Sequence, residues 1–234
     1  MGFKLYQNNY LEVIKDVSDN TIDLLLTDPP YLHIRGGSKC KRINRGIYKK
    51  DSKVKSEMSD FGEEKIYTFM NSIKPKMKKM NAYIFASKLQ VVYYLKWASE
   101  NKYQYDILIW DKCRNTLIGH KAFATNIEYI IRIYEYGCGL NPIKENDKLV
   151  SLYYQKIQRV KPVKNKLHEA EKPIELLQTI IKLSSNEEDV VLDCFMGSGS
   201  TGVACMNLNR EFIGIELNER YFNIAKERIK KHCE

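Results

Sequence analysis

No Cys-x-x-Cys pair occurs in this 234-residue sequence, and its six cysteines (Cys40, Cys113, Cys138, Cys194, Cys205, Cys233) stand singly. That spacing argues against a zinc site and against a disulfide framework. Long apolar runs are missing too. Stretches such as Ala-Tyr-Ile-Phe-Ala at 82–86 are far too short to cross a bilayer, so no membrane role is expected. The opening Met-Gly-Phe-Lys-Leu-Tyr-Gln-Asn has neither an apolar core nor a small-residue cleavage site, and no secretory signal is read there. A reduced, cytoplasmic setting is the expectation. Internal repeats and low-complexity tracts are absent. What remains is ordinary for a globular protein, 44% apolar and 29% charged, and long enough for a well-buried core.

The charge is neither ordinary nor evenly spread. Nine basic side chains against Asp51 give residues 35–55 a charge of +8. Seven against Glu145 and Asp147 give residues 144–166 a charge of +5. Together these exceed the whole chain's +9, so the rest is net acidic. Basicity confined to two segments suits a polyanionic partner such as nucleic acid, although lysine-rich loops also serve solubility alone.

Ile22–Thr27 is a short apolar run stopped by Asp-Pro-Pro, the pattern of a buried parallel strand and its end. Similar runs are 82–86, 107–110, 127–134, 190–193 and 212–216. Helical spacing follows Pro173 over 174–183 and recurs over 221–229. Strands alternating with helices predict an α/β fold with a largely parallel sheet. Residues 33–60 and 137–167 fit no element and read as long loops, which in compact domains are functional or mobile.

Two segments carry chemistry. In the first, a strand ends at Asp193, a turn holds Phe195, Gly197 and Gly199, and a helix begins near Ser200 and Thr201. Glycine lets such a turn bend sharply and approach a ligand. A following strand ends at Glu216, 23 residues on, where an acid can accept both hydroxyl protons of a ribose. NAD competes as the ligand, but its third glycine would have to stand elsewhere than Gly202. The second segment is Asp28-Pro29-Pro30-Tyr31. Two prolines remove two amide donors. The Asp28 carboxylate and the Pro29 carbonyl can then accept hydrogen bonds from one NH₂ group, while Tyr31 offers a face for a base. An aromatic amine is a poor nucleophile because its lone pair is delocalised. Two acceptors on its protons favour the pyramidal nitrogen and return the lone pair.

Taken together, these motifs resemble those of the amino-methylating DNA methyltransferases of the permuted β group, whose Asp-Pro-Pro-Tyr precedes the cofactor turn as Asp28 precedes Gly197 here. The resemblance covers nearly the whole chain. Lys4–Asn9 and Thr21–Leu24 look like the family's opening strand and approach to the catalytic turn, and Trp110-Asp111-Lys112 like its Trp-x-Lys. His168-Glu169-Ala170-Glu171-Lys172-Pro173 looks like its His-x-x-Gln-Lys-Pro. Three departures are Asn9 for aspartate, Glu171 for glutamine and Cys194 for proline.

The resemblance implies one Rossmann-like methyltransferase domain over 1–234, with a seven-stranded, mostly parallel sheet, helices on both faces and circularly permuted motif order. It implies S-adenosylmethionine as cofactor, double-stranded DNA as partner, and a flipped-out base as target. Adenine N6 is favoured by Asp28, since the cytosine N4 enzymes more often begin the motif with serine. Methylation of RNA or of a protein amide, and a DNA-binding protein without catalysis, are further alternatives. The implied cofactor contacts are Asn9, His168, Lys172, Asp193, Phe195, Gly197, Gly199, Ser200, Thr201 and Glu216, with Lys172 and His168 near the methionine carboxylate. Glu171 is expected to point away from that carboxylate. Arg35, Lys41, Arg42 and Arg45 are the DNA candidates in the first basic segment. Gln155, Gln158 and Arg159 are those of a short target-recognition segment at 137–167. A homodimer is left open.

Overall fold

The computed structural model describes residues 2–32, 61–113, 126–142, 155–164, 167 and 171–232. In chain order its elements are β1 (Phe3–Gln7), α1 (Tyr10–Asp16), β2 (Leu24–Thr27), α2 (Glu63–Ile73), β3 (Asn81–Ala86), α3 (Val91–Glu100) and β4 (Gln104–Asp111). There follow β5 (Ile127–Tyr134), β6 (Ile157–Arg159), α4 (Ile174–Ser184), β7 (Val190–Asp193), α5 (Ser200–Met206), β8 (Glu211–Glu216) and α6 (Glu219–Lys230).

One sheet of eight strands runs in the order β1-β8-β7-β2-β3-β5-β4-β6. Only β5 is antiparallel to its neighbours, β3 and β4. The sequence predicts seven strands. The eighth, β6, is a three-residue edge strand in a stretch read as loop, held by its register on Ile109–Asp111 of β4. No local pattern marks it, because its stability comes from β4's open edge.

Alternation along the central strands sends side chains to two cores, as a sheet covered on both faces requires. Leu25, Ala82, Ile84, Ile131 and Leu192 pack under α1, α2 and α3. Leu24, Leu26, Tyr83, Phe85, Ile130 and Val191 pack under α4, α5 and α6. Asn9 and Asn218 cap α1 and α6 by accepting the Leu11 and Tyr221 amides at 2.9 and 3.2 Å. Among the described residues, no helix is long and apolar enough to span a membrane.

Because the crossover direction reverses between β7 and β2, the loops leaving their carboxyl ends diverge. A doubly wound sheet opens its ligand crevice at that reversal. β5, being antiparallel, brings its first residues to this same edge. Glu216, Asp193, Asp28, Glu128, Asp111 and Arg159 therefore all stand at or beside one edge of the sheet.

Candidate active site

A cavity of about 790 Å³ fills the crevice, a size usual for small-molecule sites. It is bounded on one side by the turn after β7 and on the other by the turn after β2.

Asp193 builds the first wall from behind. Its buried carboxylate accepts the Thr27 and Thr201 hydroxyls, each at 2.7 Å, and the Phe195 amide at 3.1 Å. Burial nevertheless pushes its pKa up to about 6. These bonds tie β2, the glycine turn and α5 into one piece. Gly197 adopts φ +53°, lines the cavity and donates its amide to Glu216 at 2.9 Å. Glu216 also accepts the Asn218 amide at 2.8 Å through its other oxygen, and burial raises its pKa. Each carboxylate oxygen can accept a further bond, so a diol can still be held there.

Gly199, expected beside the ligand, is not among the residues lining the cavity. With φ +79° it faces α6, where a Cβ would lie 2.9 Å from the Ala225 Cβ. Its missing Cβ makes room for α6. Ser200, Thr201 and Phe195 line the cavity, the last packed at a tilt against Tyr10 and edge-on against Phe61. Asn9 lines it too; its side-chain oxygen accepts the Leu11 amide in capping α1. His168 lies outside the described residues.

Glu171 is 4% exposed, forms part of the cavity wall and pairs with Arg228 at 2.8 Å. Arg228 reaches over the Ser198 carbonyl and the Ser200 hydroxyl at 3.3 and 3.2 Å. The partner cation removes the repulsion that the bare acid would exert on an anion.

The second wall is the turn Asp28–Tyr31. Gln90, fully buried, donates to the carbonyls of Pro30 at 2.9 Å and Phe61 at 3.0 Å, clamping the turn against α3. The Pro29 carbonyl accepts no hydrogen bond among the described residues. Asp28 Oδ1 is buried and likewise has no partner among them. Two unsatisfied acceptors at a cavity wall are costly unless a ligand supplies donors.

Lys172, expected near the methionine carboxylate, lines the cavity and meets the catalytic turn. Its ammonium is hydrogen-bonded to Asp28 Oδ2 and lies 3.2 Å from Glu128, over the Phe85 ring at 4.7 Å. Glu128 accepts the Tyr31 hydroxyl at 3.0 Å and pairs with Lys112 at 2.6 Å. Burial opposes charge on all three groups. The two carboxylates outweigh it at Lys172, whose pKa rises, and the two lysines outweigh it at Glu128, whose pKa falls. At Asp28 burial prevails over Lys172 and the pKa rises. Glu128 and Lys112 were not read as site residues. The available signal was an acid at the head of the apolar run 127–134, which a strand buried on both faces tolerates only when the charge is paired.

Of the DNA candidates, Arg35, Lys41, Arg42 and Arg45 lie outside the described residues. Gln155 and Arg159 are exposed, Arg159 lying 3.8 Å from Asp111. Gln158 is buried, with its amide donating to the Gln155 carbonyl at 2.7 Å, so the expectation that it reads base edges is corrected.

The family model described as DNA methylase matches residues 22–227. The chain is 28% identical to the type II methyltransferase M.HpaI of Haemophilus parainfluenzae, over 98% of this chain and 74% of that protein. It is 26% identical to the putative methylase YubD of Escherichia coli K12, over 97% and 89%. Among solved structures, the M1.HpyAVI–SAM complex superposes with a TM-score of 0.70 at 24% identity, covering 97% of this chain and 98% of that one. The PvuII DNA methyltransferase, described as cytosine-N4-specific, superposes at 0.73 with 14% identity, covering 97% and 86%.

Proposed function

The chain belongs to the N6/N4 DNA methylases, S-adenosylmethionine-dependent enzymes that methylate amino groups of DNA, and from that premise we propose that it methylates adenine N6 in double-stranded DNA. The observation that carries the proposal is Asp28: a carboxylate, with one buried oxygen unpartnered among the described residues, heads the Asp-Pro-Pro-Tyr turn.

The cavity suits the cofactor. Glu216 would hold the ribose hydroxyls, and the glycine turn, Phe195 and Asn9 would line the rest of the cofactor site. When bound, S-adenosylmethionine supplies an electrophilic methyl group on a sulfonium sulfur. Asp28 Oδ1 and the Pro29 carbonyl would accept hydrogen bonds from the two N–H groups of the target amine, which frees its lone pair for attack. Tyr31, fixed through its hydroxyl on Glu128, gives the extruded base a face to stack on, worth about 1–3 kcal/mol. The acceptors act most strongly as positive charge builds on nitrogen, which is where binding energy lowers a barrier. One methyltransferase domain spans the chain, and 33–60 and 137–167 are its DNA-facing segments.

The test uses labelled cofactor and a mixed duplex pool, followed by digestion to nucleosides. N6-methyladenine is the expected product. N4-methylcytosine would overturn the choice of base, and absence of any methylated nucleoside would overturn the activity. Asp28→Ala should abolish product while cofactor affinity stays within a few-fold.

A further inference from the structure

Resting on the reading of Asp28 as the amine acceptor, we propose that Lys172 and Glu128 are positioning residues: Lys172 aims the Asp28 carboxylate and keeps it ionised for the target amine, and Glu128 anchors Lys172. Lys172 holds Oδ2, which leaves Oδ1 facing the cavity. Glu128 anchors Lys172 at 3.2 Å and Tyr31 at 3.0 Å, so one carboxylate fixes both the cation and the stacking ring. Lys112 closes the row at 2.6 Å from Glu128.

Along this row the charges alternate in sign: Asp28, Lys172, Glu128, Lys112. Such an arrangement answers a specific difficulty. The acceptor must sit away from water to act strongly, yet a carboxyl so buried tends to keep its proton and would then meet the amine as a donor. A lysine fixed on the oxygen that is not used stabilises the anion without blocking the reacting one. The other titratable groups facing Asp28 are Tyr31 from its own turn, Tyr94 from α3 and Asp193 from β7. None of these supplies a positive charge; among the described residues, Lys172 does.

The two lysine-facing acids predict opposite signs for two variants. Lys172→Met removes the cation, so the acid limb of the pH profile of kcat/KM should move up by about 1–3 units. Glu128→Gln removes the like charge and leaves Lys172 to Asp28, so that limb should move down by roughly one unit. Affinity for S-adenosylmethionine, measured by calorimetry, should stay within a few-fold in both. The Asp28 carboxyl can also be titrated directly by ¹³C NMR in the ligand-free protein, its signal assigned with Asp28→Asn, and should show the same opposed shifts. Shifts of one sign, or no shift, overturn the proposal. So does an unmoved titration with tenfold weaker cofactor binding in Lys172→Met, which would return that lysine to the methionine carboxylate. Should Lys172→Met fail to fold, Glu128→Gln decides alone: an unmoved or raised titration overturns the proposal. Because the NMR titration needs no turnover, it stands even if the chain methylates no DNA, and the two readings fail separately.

Discussion

A buried carboxylate with three donors would ordinarily be held below its usual pKa, yet Asp193 is pushed up to about 6 because burial outweighs the hydroxyls and the amide. The sign of its effect on stability follows. In the unfolded chain an aspartate titrates near 3.9, so the folded state prefers the proton. The stability it contributes is full below the unfolded value and is lost as pH rises through about 6. A difference of about two units corresponds to about 3 kcal/mol. Asp193→Asn retains an acceptor for the Phe195 amide, and the threonine hydroxyls can rotate to accept from its NH₂. The variant should therefore show a flatter dependence of Tm on pH between about 4 and 6 than the parent chain, by calorimetry without cofactor. An unchanged slope would mean that Asp193 is not the group responsible.

At the scale of elements, what was legible depended on whether the stabilising contacts were local. β2, β3, β5, β7 and β8 are apolar runs close to their observed bounds, and α4 and α6 have clear helical spacing. The opening of α3, Val91-Val92-Tyr93-Tyr94-Leu95, is made of strand-favouring residues, and only burial of Tyr94, Trp97 and Ala98 against the sheet makes it a helix. In the site, Asp28, Gly197 and Glu216 were readable because strand ends announce them. Glu128 and Arg228 were not, since each acts on a residue 40 or more positions away in the chain. Gly199 belongs here as well: its turn was readable, but not its pressing against α6. Gly199→Ala places a side chain at φ +79° and a Cβ 3.2 Å from Ile229 Cδ1. Left-handed strain of about 1–2 kcal/mol and overpacking of about 1–3 kcal/mol should together lower unfolding free energy by about 2–5 kcal/mol. Equilibrium urea denaturation measures it, and a loss under about 1 kcal/mol would show that α6 yields without cost.

For the whole molecule, the uneven charge is the feature that the fold does not absorb. Both basic segments should contact phosphates, so affinity for any duplex should fall steeply with salt as counterions are released. Their roles should differ otherwise. Lys41, Arg42 and Arg45 follow the catalytic turn in sequence. Gln155 precedes the edge strand β6 and Arg159 ends it, both exposed and remote from that turn in sequence. An exposed edge can read base edges as well as backbone. Neutralising Lys41, Arg42 and Arg45 together should thus lower rate and affinity on all sequences alike and make the salt slope shallower by about three. Replacing Gln155 and Arg159 should change which sequences are methylated. Gln158, buried behind them, should matter only through folding of β6, so Gln158→Ala should lower stability without moving the preferred site. Methylation mapping of all three variants on one mixed DNA pool separates these outcomes. If the first variant alters the preferred site while the second only slows the reaction, the two segments have exchanged roles, and recognition lies next to the catalytic turn rather than at the edge of the sheet.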